Sequence, residues 1–132
     1  MKPLTVLETS LYAVDLAAAE VFYRDVLELP LYSRQPGRHV FFRCGDAMLL
    51  LFNPEATVLP PGDVPAHGAT GPGHVAFAVG DGDLAAWQAK LEQRGVEIEA
   101  SLSWPNGGRS IYFRDPAGNS LELITPRSWG LG

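Results

Sequence analysis

The sequence has one cysteine, Cys44, so no disulfide can close within the chain and no multi-cysteine zinc site can be built. Positive charge is scarce as well. Ten Lys and Arg against fifteen Asp and Glu leave a net charge of −5, without the basic patch that phosphate backbones require, which excludes nucleic acid as a partner. No apolar run approaches the ~20 residues of a membrane helix, so no membrane partner is expected. The opening MKPLTVLETS lacks the apolar core and cleavage site of a signal peptide, which points to a cytoplasmic protein. What the chain has in quantity is glycine and proline, fourteen and eleven, gathered between patterned segments, where they mark turns. At 132 residues the chain is long enough for one domain with a real apolar interior.

The strongest internal signal is a repeat. Residues 108–126, GRSIYFRDPAGNSLELITP, echo residues 37–54, GRHVFFRCGDAMLLLFNP. Gly37-Arg38 falls on Gly108-Arg109, and Phe42-Arg43 on Phe113-Arg114. Asn53-Pro54 meets Thr125-Pro126 after a one-residue slip. Each copy reads as two strands joined by a tight turn, CGDA in one and DPAGN in the other. A duplication of this length predicts two matching modules related by a pseudo-two-fold.

The elements before each hairpin match too. Residues 5–14 alternate as a strand, with Leu7, Thr9 and Leu11 on one face and Glu8, Ser10 and Tyr12 on the other. Asp15 is a fitting N-cap for a helix in which Leu16, Ala19, Phe22, Tyr23, Val26 and Leu27 recur at helical spacing. Residues 29–34 follow as an edge strand entered through Pro30, and strands at about 39–44 and 47–53 complete a βαβββ unit. Residues 54–73 carry five prolines and no period, which predicts a connecting loop of about 55–72. The pattern then restarts. A strand is predicted over 74–79, with a helix capped by Asp83, holding Leu84, Trp87 and Leu91, and ended at Gly95. A strand over 96–104 precedes the 108–126 hairpin, so module one covers about 5–54 and module two about 73–126.

Alternation divides the strands into two faces. Leu7, Leu11, Val40, Phe42, Val75, Phe77, Val79, Ile111, Phe113, Leu121 and Leu123 form an apolar set expected to pack under the helices. Glu8, Ser10, Tyr12, His39, Arg43, His74, Ser110, Tyr112, Arg114 and Glu122 share the opposite set. A half-solvated sheet needs some polar residues there, but not a histidine and two carboxylates on strands that the repeat makes equivalent. That face is the candidate site.

The paired βαβββ modules, the helix containing FYRDVL, the GHVAFAV strand and the FRDPAGNSLEL hairpin resemble the glyoxalase–bleomycin resistance–dioxygenase (vicinal oxygen chelate) superfamily over residues 7–126. The resemblance implies an α+β fold. Two βαβββ modules would form a U-shaped, curved mixed sheet with helices on its convex face, a single domain over 1–132, usually in a homodimer. It also implies a divalent metal held by residues on the first and last strands of the modules. Carried onto this chain, those positions are Glu8, seven residues before Asp15, His74 and Glu122. The repeat makes Glu8 the mate of His74. The mate of Glu122 is Leu50, which cannot bind metal, so the resemblance implies three protein ligands and not the four of the glyoxalase I type. Two carboxylates and one imidazole suit Zn, Ni, Mn, Fe or Co and leave positions for substrate oxygens.

Around that set, Tyr112 is a candidate to hydrogen-bond or protonate a substrate oxygen, His39 is a candidate acid or base, and Glu122 is both ligand and catalytic group. Ser10, Tyr12, Phe41, Arg43, Leu50, Ser110 and Arg114 are expected to bind substrate. Each has a plainer reading. His39 and Tyr112 can simply shape a pocket, Arg43 and Arg114 can pair with nearby acids, His67 in PAHGATG reads as solvent-exposed filler, and Cys44 as a buried, inert thiol. The function that follows is a metal-dependent enzyme chelating a small oxygenated substrate, of isomerase, lyase, transferase or dioxygenase-like type. The alternative is a metal-free protein that sequesters a small molecule or antibiotic, as bleomycin-resistance relatives do.

Overall fold

The computed structural model describes residues 1–59 and 63–132. They divide into two compact units, Met1–Gly73 and His74–Gly132.

In the first unit the elements run β1 (Glu8–Tyr12), α1 (Leu16–Asp25), β2 (Leu31–Gln35), β3 (His39–Cys44), β4 (Ala47–Phe52) and a short α2 (Pro54–Thr57). The sheet order is β1-β4-β3-β2. β1 lies parallel to β4, and the remaining neighbours are antiparallel. A parallel pair cannot be joined by a tight turn, and α1 with the β2–β3 ribbon provides the return path. Asp15 caps α1 as expected, its Oδ1 accepting the Ala18 N–H at 3.0 Å. The buried face of α1, Leu16, Ala19 and Tyr23, is the predicted one. Tyr23 and Phe42 are fully buried, their ring centres 5.8 Å apart.

The second unit repeats the plan with β5 (His74–Ala78), α3 (Leu84–Gln93), β6 (Ala100–Ser103), β7 (Arg109–Arg114), β8 (Ser120–Ile124) and a terminal 3-10 turn (Pro126–Trp129). Its order is β5-β8-β7-β6, with β5 parallel to β8. The registers bear out the repeat. Glu8 stands opposite Met48 as His74 stands opposite Ser120, and Phe41 opposite Leu50 as Tyr112 opposite Glu122. The two four-stranded mixed sheets with their helices make the α+β fold expected. Gly118 at the β7–β8 turn has φ +89, a left-handed angle that explains glycine in the DPAGN turn.

Several expectations need correction. β1 is shorter than 5–14, and Leu7, assigned to the apolar face, is 63% exposed, although its carbonyl still accepts from the Met48 N–H of β4 at 2.9 Å. Val75, Phe77 and Val79 are half-buried, while Leu11, Val40, Phe42, Ile111, Phe113, Leu121 and Leu123 are buried. β6 starts late. Gly95 ends α3 with φ +73 and the Val96 N–H returns to the Leu91 carbonyl, so the chain reaches the sheet edge only near Glu99. Asp83 does not cap α3: its own backbone is already helical (φ −100, ψ −11), and its carboxyl makes no cap hydrogen bond. The 54–73 connection is not wholly irregular, since Asn53 caps α2 through the Glu55 N–H and Pro54 opens it.

Candidate functional site

The second unit gathers four of the expected site residues on one face of its sheet. Strand alternation puts Ser110, Tyr112 and Glu122 on that face, and the start of β5 brings His74 alongside. His74 Nε2 lies 3.3 Å from Glu122 Oε1, with the imidazole half exposed and the carboxylate side chain 7% exposed. On the far side of the ring, His74 Nδ1–H donates to the Ser120 carbonyl at 3.0 Å. A carbonyl only accepts, so this bond assigns a proton to Nδ1. A neutral His74 therefore points an Nε2 lone pair at a carboxylate oxygen. Two lone pairs at that distance repel unless a cation stands between them, either a proton or a metal ion.

The other carboxylate oxygen is already in use. Ser110 Oγ–H donates to Glu122 Oε2 at 2.5 Å, and Trp104 Nε1–H donates to Ser110 Oγ at 2.8 Å. Tyr112 stands opposite Glu122, with its ring nearly parallel to that of His74 at 6.4 Å between centres. Desolvation, reinforced by the hydrogen bond and charge of Glu122, raises the Tyr112 phenol above its ordinary value of 10 against a smaller opposing hydrogen bond from Ser110, so the phenol stays protonated at neutral pH. A lone pair on nitrogen, a carboxylate oxygen beside it and a phenolic proton donor make a set that can hold a divalent ion and protonate a bound oxygen. The pair fits a metal chemically: imidazole nitrogen and carboxylate oxygen are borderline-to-hard donors, and the backbone bond at Nδ1 is the outer support that metal-binding histidines commonly have. Among the described residues no group of three or more His, Cys, Asp or Glu side chains stands ready to hold an ion, so the pair supplies two donors.

In the first unit the equivalent face is aromatic. Glu8 opens β1 opposite Met48, exposed. Tyr12, Phe41 and Leu50 fall on the same face as Ser10 by alternation. Around the buried Phe52, the His39 and Phe41 rings stack at 3.9 Å, and Phe52 meets each of them edge-on. His39 is no free acid or base: its Nδ1 accepts from Arg38 Nη1 at 2.6 Å, and desolvation followed by the Arg38 charge lowers its pKa below 6.5. Arg43 lies over the Tyr32 ring at 4.8 Å, and Arg114 is bound by Glu99 and the Gly118 carbonyl. Both guanidiniums expected to meet substrate are thus engaged elsewhere. Ser110, also expected to touch substrate, is fully buried with both sides of its hydroxyl in use. Cys44 is only half-buried, its thiol pushed up by burial.

Sequence reasoning missed two residues here. His67, read as filler, packs edge-on against Phe52 at 4.6 Å, with Nδ1 2.8 Å from the Tyr12 hydroxyl. Nothing in the PAHGATG stretch announces that contact. The other is Trp104, whose indole N–H holds Ser110; a tryptophan six residues before a serine on the polar face of the next strand was the available signal. A cavity of about 420 Å³ in the first unit, between α1 and the β2–β3 turn, includes Glu20, Arg34 and His39 in its lining and none of His74, Ser110, Tyr112 or Glu122.

Fold and site together define an α+β protein of duplicated βαβββ units carrying a His–Glu pair supported from outside. The chain belongs to the Glyoxalase/Bleomycin resistance protein/Dioxygenase superfamily, whose family model matches residues 5–123. Among solved structures it is similar to a lactoylglutathione lyase from Agrobacterium tumefaciens, with a TM-score of 0.96 and 44% identity over 99% of this chain and 100% of that one. A glutathione transferase, FosA, from Serratia marcescens is 32% identical over 112 residues, 83% of this chain and 72% of the relative. A metallothiol transferase, FosB, from Bacillus licheniformis is 42% identical over 53 residues, 39% of this chain and 34% of the relative. These relatives support enzyme activity of the lyase or transferase type. No helix among the described residues is long and apolar enough to cross a membrane.

Proposed function

We propose that the chain is a metal-dependent lyase or transferase in which His74 Nε2 and Glu122 Oε1 hold a divalent ion of the Zn, Ni, Mn, Fe or Co group. The observation that carries this is the 3.3 Å approach of these two atoms while His74 Nδ1 is committed to a backbone carbonyl. Glu8 is proposed as a further ligand, on its register equivalence to His74 alone. When bound, such an ion supplies Lewis-acid polarisation to a substrate oxygen. Tyr112, kept protonated beside Glu122, donates a hydrogen bond or proton to that oxygen. Tyr12, Phe41, Leu50 and Phe52 offer an apolar and aromatic surface for the organic part of a ligand. The names of the three relatives each contain a thiol compound or the word thiol, and we take a small oxygenated substrate paired with a thiol such as glutathione as the reaction class. A homodimer, cytoplasmic location and one working domain over 1–132 are proposed with it on family resemblance.

The test is elemental analysis of the full chain purified without a metal-affinity tag. The expected outcome is a stoichiometric transition metal that falls to background in Glu122→Ala and His74→Ala. The aromatic surface of the first unit favours a second reading, metal-free capture of a flat apolar molecule. A metal-free wild type that binds such a drug at sub-micromolar concentration would support that reading and overturn the first.

A further inference from the structure

Glu122 is buried, and a buried carboxylate needs each oxygen accounted for. Its Oε1 faces His74, and its Oε2 meets Ser110. The direction of the Ser110 hydroxyl is not free. Trp104 Nε1–H can only donate, so Ser110 Oγ accepts from it and turns its single proton toward Glu122 Oε2 at 2.5 Å, with the Tyr112 phenol a hydrogen-bond partner of the same serine and glutamate. The backbone that carries the indole is itself tied into the turn: the Trp104 backbone N–H donates to the Gly108 carbonyl at 2.7 Å, and the Gly107 N–H donates to the Trp104 carbonyl at 3.0 Å. Gly108 in that turn lies so close on Ser128 that a Cβ there would collide with the Ser128 Oγ, so the position takes only glycine.

The first unit offers an internal control. Leu50 occupies the register position of Glu122, and there the equivalent of Ser110 is His39, which carries no hydroxyl. The hydroxyl accompanies the carboxylate and is missing where the carboxylate is missing.

We propose that Trp104 and Ser110 are positioning residues that reserve Glu122 Oε2, so that Glu122 presents only Oε1 to the ion shared with His74. This rests on the metal reading above and adds to it the residues that set how Glu122 binds. In this arrangement both act through Glu122: Ser110 on its Oε2, and Trp104 on Ser110. Outer partners of metal ligands typically change affinity by about 10–100-fold when removed, which sets the size of effect to seek.

The experiment titrates the full, metal-stripped chain with Co²⁺ alone, recording affinity and the visible d–d spectrum for wild type, Ser110→Ala, Ser110→Thr, Trp104→Phe and Glu122→Ala, with thermal melts alongside. Ser110→Ala should bind Co²⁺ about 10–100-fold more weakly and with an altered d–d spectrum, because the second oxygen is released. Ser110→Thr, which keeps the hydroxyl, should restore both. Trp104→Phe, which frees the hydroxyl to rotate, should fall between them and covers the case in which Ser110→Ala does not fold. If wild type and Ser110→Ala, both folded, bind with equal affinity and identical spectra while Glu122→Ala loses binding, the positioning role is overturned and the metal reading stands. If the wild type binds no Co²⁺, both fall.

Discussion

His74 has two ring nitrogens, and a backbone carbonyl takes one of them, which leaves the other to face Glu122. His39 shows the opposite arrangement: Arg38 donates to its Nδ1, its ring stacks on Phe41, and partial burial with the Arg38 charge lowers its pKa below 6.5. A histidine whose folded pKa is depressed binds fewer protons folded than unfolded in the window just below 6.5. Stability present above that value is therefore lost as pH falls through it. Denaturant midpoints measured between pH 7 and 5 should fall, and the fall should be shallower in His39→Gln. An unchanged slope would mean that His39 is protonated as easily in the folded chain as in the unfolded one. At this scale the candidate site was partly legible. His74, Glu122 and Tyr112 could be selected by strand parity, since side chains two apart share a face. The partners of Arg43, Arg114 and His67 could not, because long side chains choose neighbours that alternation does not name.

At the scale of elements, the two halves look equivalent by sequence and differ in detail. Asp15 and Asp83 each precede a helix, yet only Asp15 turns its carboxylate onto a free N–H; Asp83 is already wound into the helix. Asp15→Ala should cost about 1 kcal/mol of stability, the usual worth of an N-cap. Asp83→Ala should stay within about 0.5 kcal/mol, as for a surface change without a cap. Equal losses in chemical denaturation would contradict the difference. Strand lengths diverge from the pattern for a related reason. A strand's length depends on the neighbour it pairs with, as that of β1 does on β4, a segment some forty residues away.

For the whole molecule, a ligand that binds only the folded chain stabilises it in proportion to occupancy, by about 2.7 kcal/mol at a hundred times its Kd. Removing the ion with a chelator should lower the melting temperature of the wild type, and re-adding Co²⁺ or Mn²⁺ should restore it. Glu122→Ala should melt at one temperature with or without the ion. A wild type indifferent to chelation would remove the ion from the folded state's energetics and count against the metal reading.

Composition and periodicity alone determined the duplication, the βαβββ order, the buried set around Phe42, Phe113 and Leu123, and the polar face, while the short list of ligand-type residues on that face came from the family resemblance. The patterned features follow from local rules, namely hydrophobic alternation, capping and turn chemistry, which act over a few residues and so are written in the chain order. Only the tertiary structure decided that His74 offers Nε2, that Glu122 has one oxygen engaged by Ser110, that Trp104 stands behind that serine, and that His67 caps Phe52. Each of those is a hydrogen bond or ring contact between elements distant in sequence or set at an angle no periodicity encodes. Such a contact exists only once the backbone has closed around it.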